Sequence, residues 1–524
     1  MIEKGASAQS IKGRPSTDLL SPDIVKFFIP ALYAFVLVWL AAWFVYGFWY
    51  WEDDAFIHLE FARSVAEGRG FAFNGVLTYG DTSPLWVLLL VGAHALIPAW
   101  IPAGKTLMAL SGFAALAATR GVALKLAPEG VAPQLFAAVL VALVALNPYF
   151  IYWLLSGMEA PLAIAVSLWI ISAAAIGPAT WTKFWVGCAL AGLSPLLRPE
   201  LALLVLIVAP FFLLRALRLT EGKPIGTRLA VLALAAVLGA GPLAAWLAYA
   251  HHAFGVIISN TNAAKAEFGK NSVLQRLASV FGFGAPLILI FVLTYPLYAI
   301  FALTRPRVSG ALADKLKAVP TAIWIIAVWT ILTCAFYVVN RTYVQTRYVL
   351  VFTPALLILV FYVISGLKRP ALTYAAVLFA ALSAAAVSLL VARPFVANKM
   401  EAIRKTSELV AFIKTLPADQ PVAIYAIGQI AFESRHPIVD TGGITRPSVI
   451  PLMNDPARVI AWAKQEGARY AVQDTAPEAG AKLVHDSTKP FAGWTLDLRQ
   501  FSKNQPLRVW ALAPAGADAP AATQ

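Results

Sequence analysis

Two adjacent carboxylates, Asp53 and Asp54, follow the first long apolar run, in Trp51-Glu52-Asp53-Asp54-Ala55-Phe56-Ile57-His58. Neighbouring acids at a membrane edge can take a proton from an attacking hydroxyl or hold a divalent cation such as Mg, Mn or Ca. They can also merely cap a helix, whose N-terminus favours negative charge. The next residues support a helix: Ala55, Phe56, Leu59, Ala62 and Ala66 share one face, and Glu60, Arg63, Ser64 and Glu67 the other. The spacing predicts an amphipathic helix lying in the membrane interface, with the acid pair at its start.

The elements that position this pair are membrane spans. The 524 residues are 60% hydrophobic and only 13% charged, with a mean hydropathy of +0.73. A soluble chain is nearer a quarter charged, so the composition excludes an ordinary soluble enzyme. The net charge of +14 does not call for nucleic acid, because the basic residues cluster between apolar runs, where membrane orientation demands them. Cys188 and Cys334 both sit inside apolar runs, which argues against a disulfide framework or a cysteine metal site. The polar, basic start lacks a small-residue cleavage site before Asp53, so the first run reads as a retained span.

Lys4, Lys12, Arg14 and Lys26 place the N-terminus in the cytoplasm and Asp53 outside. Residues 50–83 are too polar to cross, and 84–99, confined between prolines, are short for a span of about 20 residues. Spans are expected at 27–48, 105–125, 133–152, 159–177, 184–198 and 200–216, then 229–249, 278–302, 320–339, 348–366 and a last one ending at Val391. Every strongly basic short loop then falls on the cytoplasmic side. Beyond Arg393 the composition becomes that of a soluble domain, with strands at 421–427, 437–441 and 469–473 and helices at 400–416 and 456–465. The organisation is a cytoplasmic segment 1–26, a transmembrane domain 27–391 with a first outer loop at 50–103, an outer α/β domain 392–513 and a disordered tail 514–524. The expected fold class is an α-helical polytopic membrane protein of about eleven transmembrane helices plus interfacial helices, with a small C-terminal α/β outer domain.

This topology collects the polar groups on the outer face: Asp53, Asp54, His58, Glu159, Arg198, Glu200, Asn260, Lys265, Arg341 and Arg347, with the pair His251-His252. Carboxylates there can serve as a base, and the cations suit a phosphate leaving group, Arg by bidentate contact and Lys as a point charge. Each has a structural alternative. Arg198 and Glu200 can form an ion pair at a helix turn, and Lys265 can snorkel to headgroups. Glu159 opens an apolar run with no cation nearby in sequence, which makes a structural role less natural.

The motifs Asp53-Asp54-Ala55-Phe56-Ile57, Phe61-Ala62-Arg63, Glu67-Gly68-Arg69-Gly70-Phe71 and Gly80-Asp81-Thr82-Ser83-Pro84-Leu85-Trp86 resemble the first outer loop of the GT-C glycosyltransferases, in their bacterial arabinofuranosyltransferase-like branch. Ser156-Gly157-Met158-Glu159, Leu197-Arg198-Pro199-Glu200 and Ser259-Asn260-Thr261 with Lys265 continue the likeness in order. Ala426-Ile427-Gly428-Gln429-Ile430 and Val439-Asp440-Thr441-Gly442-Gly443 resemble that family's outer soluble domain. The resemblance implies transfer of a sugar, arabinofuranose or another pentose or hexose, from a polyprenyl-phosphate donor to a glycan, lipid or protein acceptor. The transfer would take place on the periplasmic face of a bacterial cytoplasmic membrane. It implies that Asp53 or Asp54, with Asp53 preferred, is the general base and that Glu159 is a second catalytic acid. His58, Arg198, Glu200, Asn260, Thr261, Lys265, Arg341 and Arg347 are the expected substrate contacts. The competing reading is a lipid-linked-sugar flippase without chemistry. It needs polar groups at mid-membrane depth, whereas this chain keeps its charges at span ends.

Overall fold

Helix α1 (Pro22–Tyr46) delivers the chain to α2 (Asp53–Ala66). The computed structural model describes residues 22–128, 131–261, 264, 272–277, 319–340, 344–366, 370–486 and 508–513. The span expected at 278–302, the tail 514–524, Lys265 and Arg341 lie outside these residues.

After α2 comes a hairpin of β1 (Ala72–Phe73) and β2 (Val76–Leu77), turned by Asn74 and Gly75, both at positive φ. An Asn-Gly pair is the combination a tight two-residue hairpin turn requires. Then follow α3 (Pro84–Leu96), α4 (Trp100–Leu126), α5 (Pro133–Leu146), α6 (Pro148–Leu155), α7 (Ala160–Ala175), α8 (Trp181–Leu197), α9 (Leu201–Leu219) and α10 (Ile225–Phe254). Further helices are Thr321–Val339, Thr346–Leu350, Thr353–Gly366 and Pro370–Val387.

Among the described residues, six helices are long and apolar enough to cross a bilayer, and this is a multi-pass membrane protein. The single span expected at 133–152 is two helices bent by 62°. The break is local chemistry: Pro148 has no N–H to continue α5, and Asn147 Oδ1 accepts from Tyr149 N at 2.9 Å and Phe150 N at 3.2 Å. Helices Ala160–Ala175 and Thr353–Ser365 are apolar but shorter than a straight span needs. Helix α3, with 13 residues, reaches only about 20 Å, so the segment after the acid loop does not cross by itself.

No loop separates the last apolar helix from the soluble unit. A π-helical turn at Ser388–Ala392 joins Pro370–Val387 directly to the amphipathic helix Arg393–Ile413. Beyond it lies a five-stranded sheet of order β4-β3-β5-β7-β6, with β3 (Val422–Ile424), β4 (Ile438–Asp440), β5 (Tyr470–Val472), β6 (Lys482–Asp486) and β7 (Arg508–Ala511). The first three strands are parallel and buried, whereas β6 and β7 pair antiparallel at the other edge.

The sheet unit changes the environment of α2. Residues Ala55–Ser64 are buried on every side, including Glu60 and Arg63 on the face expected to meet water. The short helix Gly428–Ser434 covers that face. Arg63 pairs with Glu60, donates Nη1–H to Phe432 O at 2.7 Å and lies over the Phe432 ring. Instead of lying open in an interface, α2 is clamped between the apolar helices and the C-terminal domain.

Candidate functional site

Asp53 and Asp54 occupy the first turn of α2 and diverge. The Asp53 carboxylate accepts from the backbone amides of Gly428 at 3.1 Å and Gln429 at 3.0 Å, so the C-terminal domain holds both its oxygens. Burial raises the Asp53 pKa to about 6, against these two hydrogen bonds, which lower it. The approach is close enough to demand glycine: a Cβ at 428 would lie 2.0 Å from Asp53 O. Asp54 turns the other way. Its side chain is 43% exposed, and its Oδ2 accepts from Arg347 Nη2 at 2.7 Å.

Arg347, in the helix Thr346–Leu350, is 4% exposed. Trp153 Nε1 donates to the Thr346 hydroxyl at 2.7 Å and fixes this turn, while the Trp153 and Tyr348 rings flank the guanidinium at 5.5 and 5.4 Å. Among the described residues, its Nε and Nη1 are buried without a hydrogen-bond partner. Unmatched buried guanidinium donors are costly to desolvate and are well placed to meet an anion.

A second chain of charges runs behind this pair. His58 Nδ1 donates to Asp81 Oδ2 at 2.5 Å, and its Nε2 lies 3.6 Å from Glu159 Oε2. Burial favours the neutral imidazole, but Asp81 and Glu159 outweigh it and raise the His58 pKa to about 10. Glu159 Oε1 accepts from Arg198 Nη1 at 2.5 Å, Arg198 pairs with Glu200 at 2.5 Å, and the Tyr337 hydroxyl donates to Glu200 at 3.1 Å. The expected Arg198–Glu200 turn pair therefore exists, and it also reaches Glu159, whose missing cation comes from the next helix junction. Arg198 lies 4.8 Å from the Tyr348 ring centre, which Arg347 also faces, so the two charge groups meet at one aromatic side chain.

The turn carrying Glu159 is docked on the segment before Asp53. Gly157, at φ +88°, lies against the Trp51 ring, Glu52 N donates to Ser156 O at 2.9 Å, and Trp86 Nε1 donates to Gly157 O at 3.1 Å. Below this junction Lys105, only 1% exposed, donates to Tyr50 O at 2.7 Å and Leu155 O at 2.5 Å. One ammonium thus ties the end of the strand-like link into α2 to the end of α6, the two segments that carry the acids. Lys105 reads in the sequence as a charge at the edge of a span; its place inside an apolar helix is the signal of a built partner. Asp81 is legible only as part of a loop motif, and Tyr337, Tyr348 and Gln429 carry no signal in their own spacing.

Asn260 and Thr261 bond the loop that carries Asp81. Asn260 Nδ2 donates to Thr78 Oγ1 and Ile444 O, and Thr261 Oγ1 donates to Gly80 O at 2.6 Å. They fasten the chain after α10 to the 78–80 loop and to the C-terminal domain. His251 and His252 are exposed near the end of α10. The motif at Asp440 is likewise self-contained: its carboxylate accepts from Gly442 N and Thr445 N, both at 2.7 Å, and so shapes the 441–445 loop. The acid pair does not fit a divalent cation, since one carboxylate faces amides and the other a guanidinium. Among the described residues, no three His, Cys, Asp or Glu side chains converge as a metal site.

A spanning-helix domain, the acid-bearing helix α2 and a C-terminal sheet unit closing over it make up a GT-C-like fold. The chain is similar in structure to ArnT from Cupriavidus metallidurans bound to undecaprenyl phosphate, with a TM-score of 0.56, 14% identity, and 94% of this chain and 99% of that one covered. For the apo state of the same protein the values are 0.56 and 15%, with 88% and 96% covered. A domain of unknown function, DUF8728, matches residues 396–515, which is the connecting helix and the sheet unit. None of the curated proteins matches the chain in sequence.

Proposed function

We propose that this protein is a polyprenyl-phosphate-dependent glycosyltransferase that moves a sugar to an acceptor hydroxyl at the outer face of a bacterial cytoplasmic membrane. The observation that carries the reading is the Asp54–Arg347 contact. A half-exposed carboxylate stands 2.7 Å from a buried guanidinium whose Nε and Nη1 have no hydrogen-bond partner among the described residues. In the reaction the acceptor oxygen attacks the anomeric carbon and its proton passes to Asp54. The bond from that carbon to the phosphate oxygen breaks with inversion, and the electron pair leaves with the polyprenyl phosphate. Arg347 Nε and Nη1 would hold that phosphate, which also draws Arg347 from Asp54 and frees the base.

Asp54 is preferred here to Asp53, because the amides of Gly428 and Gln429 occupy both Asp53 oxygens. Glu159, Arg198, His58 and Glu200 form the buried frame behind the aromatic wall, and their role is to hold Arg347 and Tyr348 in place. The bound undecaprenyl phosphate of the structural neighbour supports the donor class. The flippase reading gains no support from this arrangement. Arabinofuranose or another pentose or hexose remains the proposed cargo, and the acceptor is a cell-envelope hydroxyl.

Binding of undecaprenyl phosphate to the purified protein in neutral detergent tests the clamp. Arg347→Met keeps the apolar stem and should weaken binding by about tenfold or more. Superimposed titrations of wild type and variant would remove Arg347 from the donor site.

A further inference from the structure

A cleft of about 570 Å³ lies where the outer end of α2 meets the last turn of α3 and the start of α4, with a second of about 280 Å³ adjoining it. The two share Arg63, Glu67 and Arg435. Neither is lined by Asp54, Arg347, Glu159 or any other member of the charge cluster, so this is a separate place on the molecule.

Its walls differ in chemistry. On one side Val91, Ala95, Pro98 and Trp100 give an apolar surface, with His94 stacked on Trp100 at 3.6 Å between ring centres. That surface continues onto α3, where Leu88 is 48% and Leu96 is 85% exposed. A short apolar helix with exposed leucines, tied to the start of a spanning helix, belongs at the acyl-chain boundary. The other side is basic. Glu60 pairs with Arg63 and Glu67 with Arg69, while Arg435, 68% exposed, makes only a longer ion pair to Glu67 at 3.8 Å. Arg435 is presented by backbone at φ +57°, one of only two non-glycine positive-φ residues among those described. His94 lines the same cleft, and its buried Nδ1 has no hydrogen-bond partner among the described residues.

We infer that this cleft is a docking site for the headgroup of an anionic phospholipid. Its phosphate would lie beneath Arg435 and within reach of His94, and one acyl chain would run along the exposed face of α3. Charge complementarity above and continuity with a lipid-facing surface below select such a molecule over a soluble anion, which has no use for the apolar wall, and over a zwitterionic lipid, whose ammonium would meet Arg435. The occupant would bridge the membrane domain and the 432–437 segment of the C-terminal domain. The inference does not depend on the sugar-transfer reading.

The test is titration of phosphatidylglycerol and of phosphatidylcholine, as separate probes, into the full chain in neutral detergent, followed by native mass spectrometry. The wild type should bind phosphatidylglycerol about tenfold more tightly than phosphatidylcholine, and Arg435→Glu should abolish that preference. Arg435 is exposed, so its replacement leaves the fold intact. Arg458→Glu, an exposed charge change outside the cleft, and Arg347→Met should both retain the preference. Equal binding of the two lipids by the wild type would overturn the proposal. So would an unchanged preference in Arg435→Glu, or an equal loss in either control.

Discussion

Arg347 Nη2 and Asp54 Oδ2 lie 2.7 Å apart although 293 residues separate them in the chain. The contact joins the first turn of α2 to the short helix Thr346–Leu350, and it distinguishes two acids that are equivalent on paper.

The two acids should separate experimentally. Asp54→Asn removes the proposed base and should lower turnover by about 10²–10⁴-fold with little change in thermal stability. Asp53→Asn instead turns an amide N–H₂ toward the backbone N–H groups of Gly428 and Gln429. It should cost about 1–3 kcal/mol of stability and leave a larger share of turnover. Parallel turnover assays and thermal melts check both, and the opposite pattern would return the base to Asp53.

Gly428→Ala tests whether the C-terminal domain completes the site. Its new Cβ would meet Asp53 main-chain atoms at 2.0 and 2.8 Å, which cannot give way as a flexible side chain would. The domain must shift, costing about 1–3 kcal/mol. Limited proteolysis should then cut the segment around residues 414–421 faster than in wild type, and an unchanged digestion rate would contradict the tight docking.

Lys105→Met leaves Tyr50 O and Leu155 O without their buried donor. Loss of alignment between the two acid-bearing segments should lower turnover by about tenfold or more while undecaprenyl phosphate binding stays within about twofold of wild type. If donor binding falls in step with turnover, Lys105 supports the donor site or the whole fold rather than the register of the two segments.

His58 gives a pH signature. Its folded pKa of about 10 lies above the ordinary value of 6.5, so the stability it contributes is full below about pH 6.5 and disappears as pH rises through about 10. Thermal melts between pH 6 and 10 should therefore show a decline in wild type that His58→Gln flattens. Parallel declines in the two proteins would place the titration elsewhere.

How far the sequence carries can be judged from these residues. The apolar runs and basic loops specify the membrane helices, and the strands at 422–424, 438–440 and 470–472 fall inside their expected segments because β-rich runs bounded by Pro and polar residues are local signals. The helix Pro456–Gln465 coincides with its expected bounds, since Asp455 caps it and Pro456 opens it. The bend at Asn147-Pro148 was also written locally, but a continuous apolar count passes over it. What local pattern could not give is partnership at long range. The polar face of α2 reads as solvent-exposed until Phe432 and Gly428 are seen to cover it. Arg198 reads as the partner of Glu200 alone until helix packing brings Glu159 to it. Asn260 and Thr261 read as isolated polar side chains until their bonds to Ile444 O and Gly80 O are seen to join segments far apart in sequence.

The role of Asp54 as base of the proposed sugar transfer can be read in the cell envelope. Its most direct test is glycan mass spectrometry of cell envelopes from a deletion strain complemented with wild type or with Asp54→Asn at equal membrane abundance. The deletion should lack one sugar addition, wild type should restore it, and Asp54→Asn should leave it missing with the unglycosylated acceptor accumulating. Full restoration of that sugar by Asp54→Asn would contradict the account.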